Sequence, residues 1–343
     1  LSPHREIERE LAAIGARALV VGPSGRNAFA SVDRTTTPAL EYVVGPSGAG
    51  VGESVTFDQL LAADPAPIVE READDLAVLM FTSGTAGSPK AAMLTHGNLL
   101  SNLEQVQASP GRAQEAGDVS FGVIPLFHIF GLNVVLGGAI HAGGCVLLIE
   151  RFDPSSALEA IARHQATLVS GPPTMWAALA DQPDADPNAF ASVRPAPSGA
   201  AKLPDEVPRR LMERFGVRLV EGYGLTETSP VVATANGLPD APVGSIGRPI
   251  RGIEMRLVDP DGDDVLIGDE GEVWVRGPNV FHGYWNDPEA TAAALTPEGW
   301  LRTGDLAVVN DDGYLFLVDR AKDLIIVSGF NVYPAEGEEI LME

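Results

Sequence analysis

The sequence predicts an α/β protein: a layered αβ core followed by a small β-rich, barrel-like subdomain. Two patterns carry this reading. Between residues 76 and 244, short apolar runs alternate with helical patterns, the grammar of buried strands covered by helices. After about Ser245 the text changes to short alternating strands with turn signals such as Asp259-Pro260-Asp261-Gly262 and Asn310-Asp311-Asp312-Gly313, and no convincing helix. The length of 343 residues and an apolar content of 45% are sufficient for two or three domains' worth of core. The expected division is 1–244 for the α/β core, 245–320 for the β-rich subdomain and 321–343 for a following segment.

Ser2 as N-cap and Pro3 at the first helical position precede Ile7, Leu11 and Ile14 at helical spacing, and Ala18 to Val21 form a short apolar run, so the chain opens with helix then strand. From Ser24 to Pro67 the text is rich in Gly, Pro and Ser and is expected to wander over the surface. Residues 76–81 read as a buried strand ending in a Gly, Ser and Thr loop. The following runs are Val119 to Ile124, a helix near Leu132, Cys145 to Ile149, a helix from Pro154, Thr167 to Val169, helices from Pro172 and Pro204, and Val217 to Val220. In the 245–320 segment, Asp259, Asp261, Asp263 and Asp264 read as solvated turn residues, because the closing Glu of an EF-hand is missing.

Composition narrows the function. With 23 basic and 47 acidic side chains the net charge is −24, which repels nucleic acid and anionic membrane surfaces. Polyphosphate substrates stay open, since local backbone N–H groups and one or two cations suffice to hold them. Cys145 is the only cysteine, so there is no disulfide framework or thiolate metal site, and its apolar surroundings predict a small buried hydrophobe. The six histidines show no metal-binding spacing. The Leu132–Ile149 stretch is broken by His141 and four glycines, so it is not a membrane span. A cytoplasmic location, free or peripheral to a membrane, is expected. The missing initiator methionine suggests a fragment.

Chemistry concentrates in Thr82-Ser83-Gly84-Thr85-Ala86-Gly87-Ser88-Pro89-Lys90, directly after a buried strand. Glycines let the backbone turn its N–H groups inward, hydroxyls add donors and Lys90 adds a point charge, a combination suited to phosphate oxygens. It is not a Walker A loop, because Ala91 follows the lysine. Three further segments stand out: Gly222-Tyr223-Gly224-Leu225-Thr226-Glu227-Thr228; Gly299-Trp300-Leu301-Arg302-Thr303-Gly304-Asp305-Leu306; and Asp319-Arg320-Ala321-Lys322-Asp323 running into Val327-Ser328-Gly329-Phe330-Asn331-Val332-Tyr333-Pro334. Taken singly, Tyr223 reads as core, Glu227 as a helix-start carboxylate and Asp305 as a turn residue.

In order and spacing these four segments resemble the signatures of the adenylate-forming superfamily, most of all its medium- and long-chain fatty acyl-CoA synthetases. The resemblance covers nearly the whole chain. It implies that Thr82, Ser83, Gly84, Thr85, Gly87 and Lys90 hold the β- and γ-phosphates of ATP. Tyr223 would stack on adenine against the backbone of Gly199, Ala200 and Ala201, with Glu221, Gly222 and Gly224 completing the nucleotide site. Thr226 would bind phosphate, Glu227 would hold Mg²⁺, and Asp305 with Arg320 would grip the ribose hydroxyls. A carboxylate accepts two hydroxyl protons well, a hard cation wants carboxylate oxygen and an aromatic face suits a purine, so the chemistry agrees.

The same resemblance places His128 and Phe130 at the acyl site, a hinge at Lys322, and coenzyme A near Ser328 and Gly329. Lys90, His128, Thr226 and Glu227 would be the catalytic set. The implied activity is fatty acid plus ATP plus coenzyme A giving acyl-CoA, AMP and pyrophosphate. An aryl-acid CoA ligase, an enzyme loading a carrier protein and a non-catalytic nucleotide-binding fragment are the alternatives. Two departures are visible: Ala91 follows the loop lysine where the family has glycine, and Ala200-Ala201-Lys202 replaces a stretch richer in Gly and Pro. The family's C-terminal domain and its lysine are expected to be absent, leaving the 343-residue chain with little activity of its own.

Overall fold

A computed structural model describes residues 4–45, 55–82, 90–111, 114–194, 196–320, 325–327 and 330–332, of which 319–320, 325–327 and 330–332 are described as backbone only. The chain divides into two compact units, Leu1–Arg71 with Phe81–Ala91, and Glu72–Met80 with Ala92–Glu343.

In the first unit the amphipathic helix His4–Ile14 buries Leu11 beside a parallel three-stranded sheet, Ala18–Val20, Tyr42–Gly45 and Val55–Thr56. Its core is Leu11, Val21, Phe29, Val32, Leu40 and Val43. The expected surface wandering from Ser24 is therefore corrected: that stretch folds into short helical turns that supply Phe29, Val32 and Leu40 to the core. Few apolar residues are needed there because the sheet has only three short strands to cover.

In the second unit, strands Cys145–Leu148, Val119–Gly122 and Leu168–Val169 lie parallel in that order. A parallel bridge from Gly171 to Ser198 links them to Ala196–Ser198, which runs parallel to Leu219–Gly224. Helices Pro154–Arg163, Pro173–Ala180 and Glu206–Phe215 bury their apolar stripes with this sheet around Trp176, Phe121, Ile161 and Leu211, all 0% exposed. Burying side chains of that size contributes roughly 1.5–3 kcal/mol each. Helix starts follow their caps: the Asp153 side chain accepts from Ser156 N–H with Pro154 at the first position, and the Glu206–Phe215 helix stops at left-handed Gly216.

Cys145 is exposed, which corrects the buried reading: it begins the edge strand of its sheet, with no neighbouring strand on one flank among the described residues. The β-rich region holds an open antiparallel sheet of Glu254–Val258, Glu270–Arg276, Leu301–Val309 and Leu315–Arg320. It also contains a helix, Pro288–Ala294, where none was expected. Asp287 caps it by accepting from Ala290 N–H and Pro288 sits in its first turn, so the start signal outweighs the short length.

Candidate active site

The site builds up at the carboxyl ends of two parallel strands. Ser198 pairs with Glu221 across Ala196–Ser198 and Leu219–Gly224, so Gly199, just past the end of the first strand, lies beside Gly222 within the second. A Cβ on Gly199 would stand 3.6 Å from both the Gly222 carbonyl oxygen and Phe130 Cε1, so the structure brings Phe130, Gly199 and Gly222 together. Clefts outside the carboxyl ends of parallel strands are where such sheets bind ligands. Ala200 follows with φ +72°, a left-handed conformation that costs an alanine on the order of 1–2 kcal/mol. Gly224 is required by contact: its Cβ would stand 2.1 Å from the Pro230 carbonyl oxygen.

Tyr223 is 8% exposed and packs with Val273, Val275, Leu301 and Leu315 of the antiparallel sheet. Its hydroxyl donates to Asp305 Oδ2 at 2.7 Å. Asp305, also 8% exposed, thus sits where the two sheets meet, and its backbone pairs with that of Arg320 on the next strand. Two residues taken separately from the sequence form one hydrogen-bonded pair.

Glu227 lies in the short turn Thr226–Thr228, and its Oε1 accepts from the Tyr284 hydroxyl at 2.7 Å. Burial, reinforced by the neighbouring Glu227 charge, pushes the Tyr284 phenol well above its ordinary range, so it stays a donor. Tyr284 stacks edge-on against Phe281 at 4.9 Å, and Phe281 N–H donates to the Glu227 carbonyl at 2.8 Å. The turn is anchored from below by three buried amides. Asn133 Nδ2 donates to the Ser229 carbonyl at 2.6 Å and Asn279 Nδ2 to the Thr228 carbonyl at 2.7 Å. Asn102 binds both the N–H and the carbonyl of Val231. Among the described residues no group of three or more acidic, cysteine or histidine side chains forms a metal cluster. One carboxylate on a rigid turn fits a Mg²⁺ whose other ligands are phosphate oxygens and water.

His128 belongs to the tight turn before the π-helix Phe130–Gly137. Its Nδ1 accepts from Phe130 N–H at 3.2 Å, which places a neutral ring's proton on Nε2. Partial burial pushes its pKa below the ordinary histidine value, favouring that neutral form. Glu221 accepts backbone hydrogen bonds from Leu203 and Gly244, yet burial pushes its carboxyl up to about 7. In the first unit, Thr82 Oγ1 donates to the Lys90 carbonyl at 3.4 Å, joining the two strand ends that flank the glycine-rich segment. Ser83, Gly84, Thr85, Gly87, Lys322, Ser328 and Gly329 lie outside the described residues, as does the Arg320 side chain.

A family model described as AMP-binding enzyme matches residues 1–285. The chain belongs to that family, the adenylate-forming enzymes. The chain is 40% identical over 270 residues to a long-chain-fatty-acid–CoA ligase of Bacillus subtilis, covering 78% of this chain and 48% of that protein. It is also 40% identical over 307 residues to a feruloyl-CoA synthase of an Amycolatopsis species, covering 89% and 62%. Among solved structures, the o-succinylbenzoate coenzyme A synthetase of Bacillus subtilis in complex with ATP and magnesium ion superposes with a TM-score of 0.82 at 30% identity, covering 100% of this chain and 67% of that one. The chain spans about half to two thirds of the length of these curated relatives. Tyr284, Asn102, Asn133 and Asn279 were not legible as site residues; the one available signal was amides lying within apolar text.

Proposed function

We propose that the full-length protein is an ATP-dependent acid–thiol ligase that makes acyl-CoA through an acyl adenylate. The observation that carries this is the convergence of Gly199, Gly222 and Phe130 at the strand ends, in the same unit as the Tyr223–Asp305 pair and the Tyr284-held Glu227. In this reading the acid's carboxylate oxygen bonds to the α-phosphorus of ATP while the bond to pyrophosphate breaks. The coenzyme A sulfur then bonds to the carbonyl carbon, AMP leaves with that oxygen, and the thiol proton goes to solvent.

The chain's residues position and neutralise. Residues 82–90 and Thr226 hold phosphate, Glu227 keeps one carboxylate oxygen for Mg²⁺, and Mg²⁺ supplies charge neutralisation on the phosphates. Asp305, assisted by Arg320, accepts from the ribose hydroxyls. Tyr223 and the 199–201 backbone flank adenine beside Glu221 and Gly224. His128 directs Nε2–H toward the acid beside Phe130. Lys322 serves as the hinge, with Ser328 and Gly329 near coenzyme A. Both a fatty acid, the reading favoured by the sequence motifs, and an aryl acid have counterparts among the named relatives.

The test is isotopic. With an acid labelled by ¹⁸O in its carboxylate, the label is expected in AMP. Label in inorganic phosphate would mean an acyl phosphate instead, and would overturn the reading.

A further inference from the structure

The bond from Tyr284 to Glu227 depends on where the Tyr284 backbone is held, and a residue of the Pro288–Ala294 helix holds it. Tyr284 N–H donates to Thr291 Oγ1 at 2.9 Å, and the same hydroxyl donates to the Asp287 carbonyl at 2.8 Å. A helical threonine that bonds back to the carbonyl four residues earlier is ordinary. Accepting at the same time from a backbone N–H that lies before the helix is a further task, and it turns the hydroxyl into a two-sided clasp. Asp287 N–H donates to the Tyr284 carbonyl at 3.2 Å, so both backbone groups of Tyr284 are tied to the start of this helix.

The local sequence makes room for the clasp. Gly283 has φ +119°, and a Cβ there would stand 2.5 Å from Thr291 Cγ2 and 2.8 Å from its Oγ1, so any side chain at 283 would push the threonine away. Met93 secures the other flank: its N–H donates to the Gly283 carbonyl at 2.9 Å and its carbonyl accepts from His282 N–H at 3.2 Å. A support must itself be fixed. Arg302 Nη1 donates to the Ala293 carbonyl at 3.1 Å, and its guanidinium stands 5.1 Å from the centre of the Trp274 ring. Leu295 bridges to buried Leu301, so the far end of the helix is fastened to the strand Leu301–Val309.

Resting on the ligase reading, in which Glu227 holds Mg²⁺, we propose that Thr291 is a positioning residue for that carboxylate: it fixes Tyr284, whose hydroxyl fixes Glu227 Oε1. Phe281 N–H separately holds the Glu227 backbone carbonyl, so loss of the clasp frees the carboxylate and leaves the turn in place. The consequence is specific to ligands that carry the metal. MgATP engages Glu227 through its cation, whereas AMP has no β- or γ-phosphate for that cation to bridge.

The experiment titrates the full-length protein calorimetrically with MgATP and, in EDTA, with AMP, with thermal unfolding confirming that each variant is folded. Thr291→Val keeps the shape and removes both hydroxyl bonds, and is expected to weaken MgATP about fivefold with AMP affinity unchanged. Thr291→Ala repeats the loss of the hydroxyl without a second branch, and Thr291→Ser, which keeps both bonds, should bind MgATP as the native protein does. Added to Tyr284→Phe, Thr291→Val should cause no further loss, because its effect passes through the phenol, whereas independent sites add. Unchanged MgATP affinity in the folded valine and alanine variants, equal losses for MgATP and AMP, or additive losses in the double variant would overturn the proposal and leave the ligase reading intact. Failure of the folded native protein to bind either nucleotide would sink that reading itself, and this proposal with it.

Discussion

At the scale of single residues the site is a set of charged oxygens held by neutral donors. Tyr284 to Glu227 and Tyr223 to Asp305 share the same logic: a buried phenol fixes one carboxylate oxygen. Removing a hydrogen bond to a charged group costs roughly 1.5–3 kcal/mol. Tyr284→Phe is therefore expected to weaken ATP binding about tenfold in the presence of Mg²⁺ and little in its absence, compared by calorimetric titration. An equal loss in both conditions would show that the tyrosine acts on the fold and not on the metal. Glu221 gives a pH signature. Its carboxyl is raised from 4.5 to about 7, so the folded state holds a proton that the unfolded chain releases. The stabilisation is complete below the unfolded value and is lost as pH rises through the folded one. The melting temperature of the native protein should fall from about pH 5 to about pH 8, and more steeply than that of Glu221→Gln; parallel curves would contradict the assignment. Glu227 and Asp305 could be singled out from sequence because each stands in a contiguous motif. Tyr284 could not, because its partner is 57 positions away.

At the scale of elements, helices announced by caps and apolar stripes were legible, whereas the helix His96–Gln107 was not. Its buried positions are Asn98, Asn102 and Gln105, while Leu100 is 47% exposed, so the apolar period that marks a helix is inverted. The helix nevertheless starts with a full capping box between Thr95 and Asn98. Its polar face has a function: Asn98 Nδ2 donates to the Pro278 and Val280 carbonyls, and Asn102 fastens Val231 beyond the Thr226–Thr228 turn. Asn133, from the π-helix, completes the anchorage by donating to the Leu99 and Ser229 carbonyls. Replacing it by leucine removes both bonds and deprives the buried Ser229 carbonyl of its donor, at about 1–3 kcal/mol. Asn133→Leu should thus lower the unfolding free energy by about 2 kcal/mol in urea titrations, and a loss below about 0.5 kcal/mol would mean the amide bonds are not supporting the turn.

At the scale of the whole molecule, the order of strands and helices between 119 and 220 could be read in outline because buried parallel strands are continuous apolar runs bounded by turns. The antiparallel strands that follow alternate, and their pairing into an open sheet rests on contacts far apart in sequence that no local pattern encodes. Among the described residues, no helix is long and apolar enough to cross a membrane. The central claim is that this scaffold reversibly converts ATP and an acid into an acyl adenylate and pyrophosphate. Its most direct test is ATP–pyrophosphate exchange by the full-length protein with Mg²⁺ and a panel of carboxylic acids. Labelled pyrophosphate should enter ATP only when a suitable acid is present, and Asp305→Ala should slow the exchange at subsaturating ATP by about tenfold or more. Nucleotide binding without acid-dependent exchange for any acid would contradict the account and leave a protein that holds ATP without activating a carboxylate.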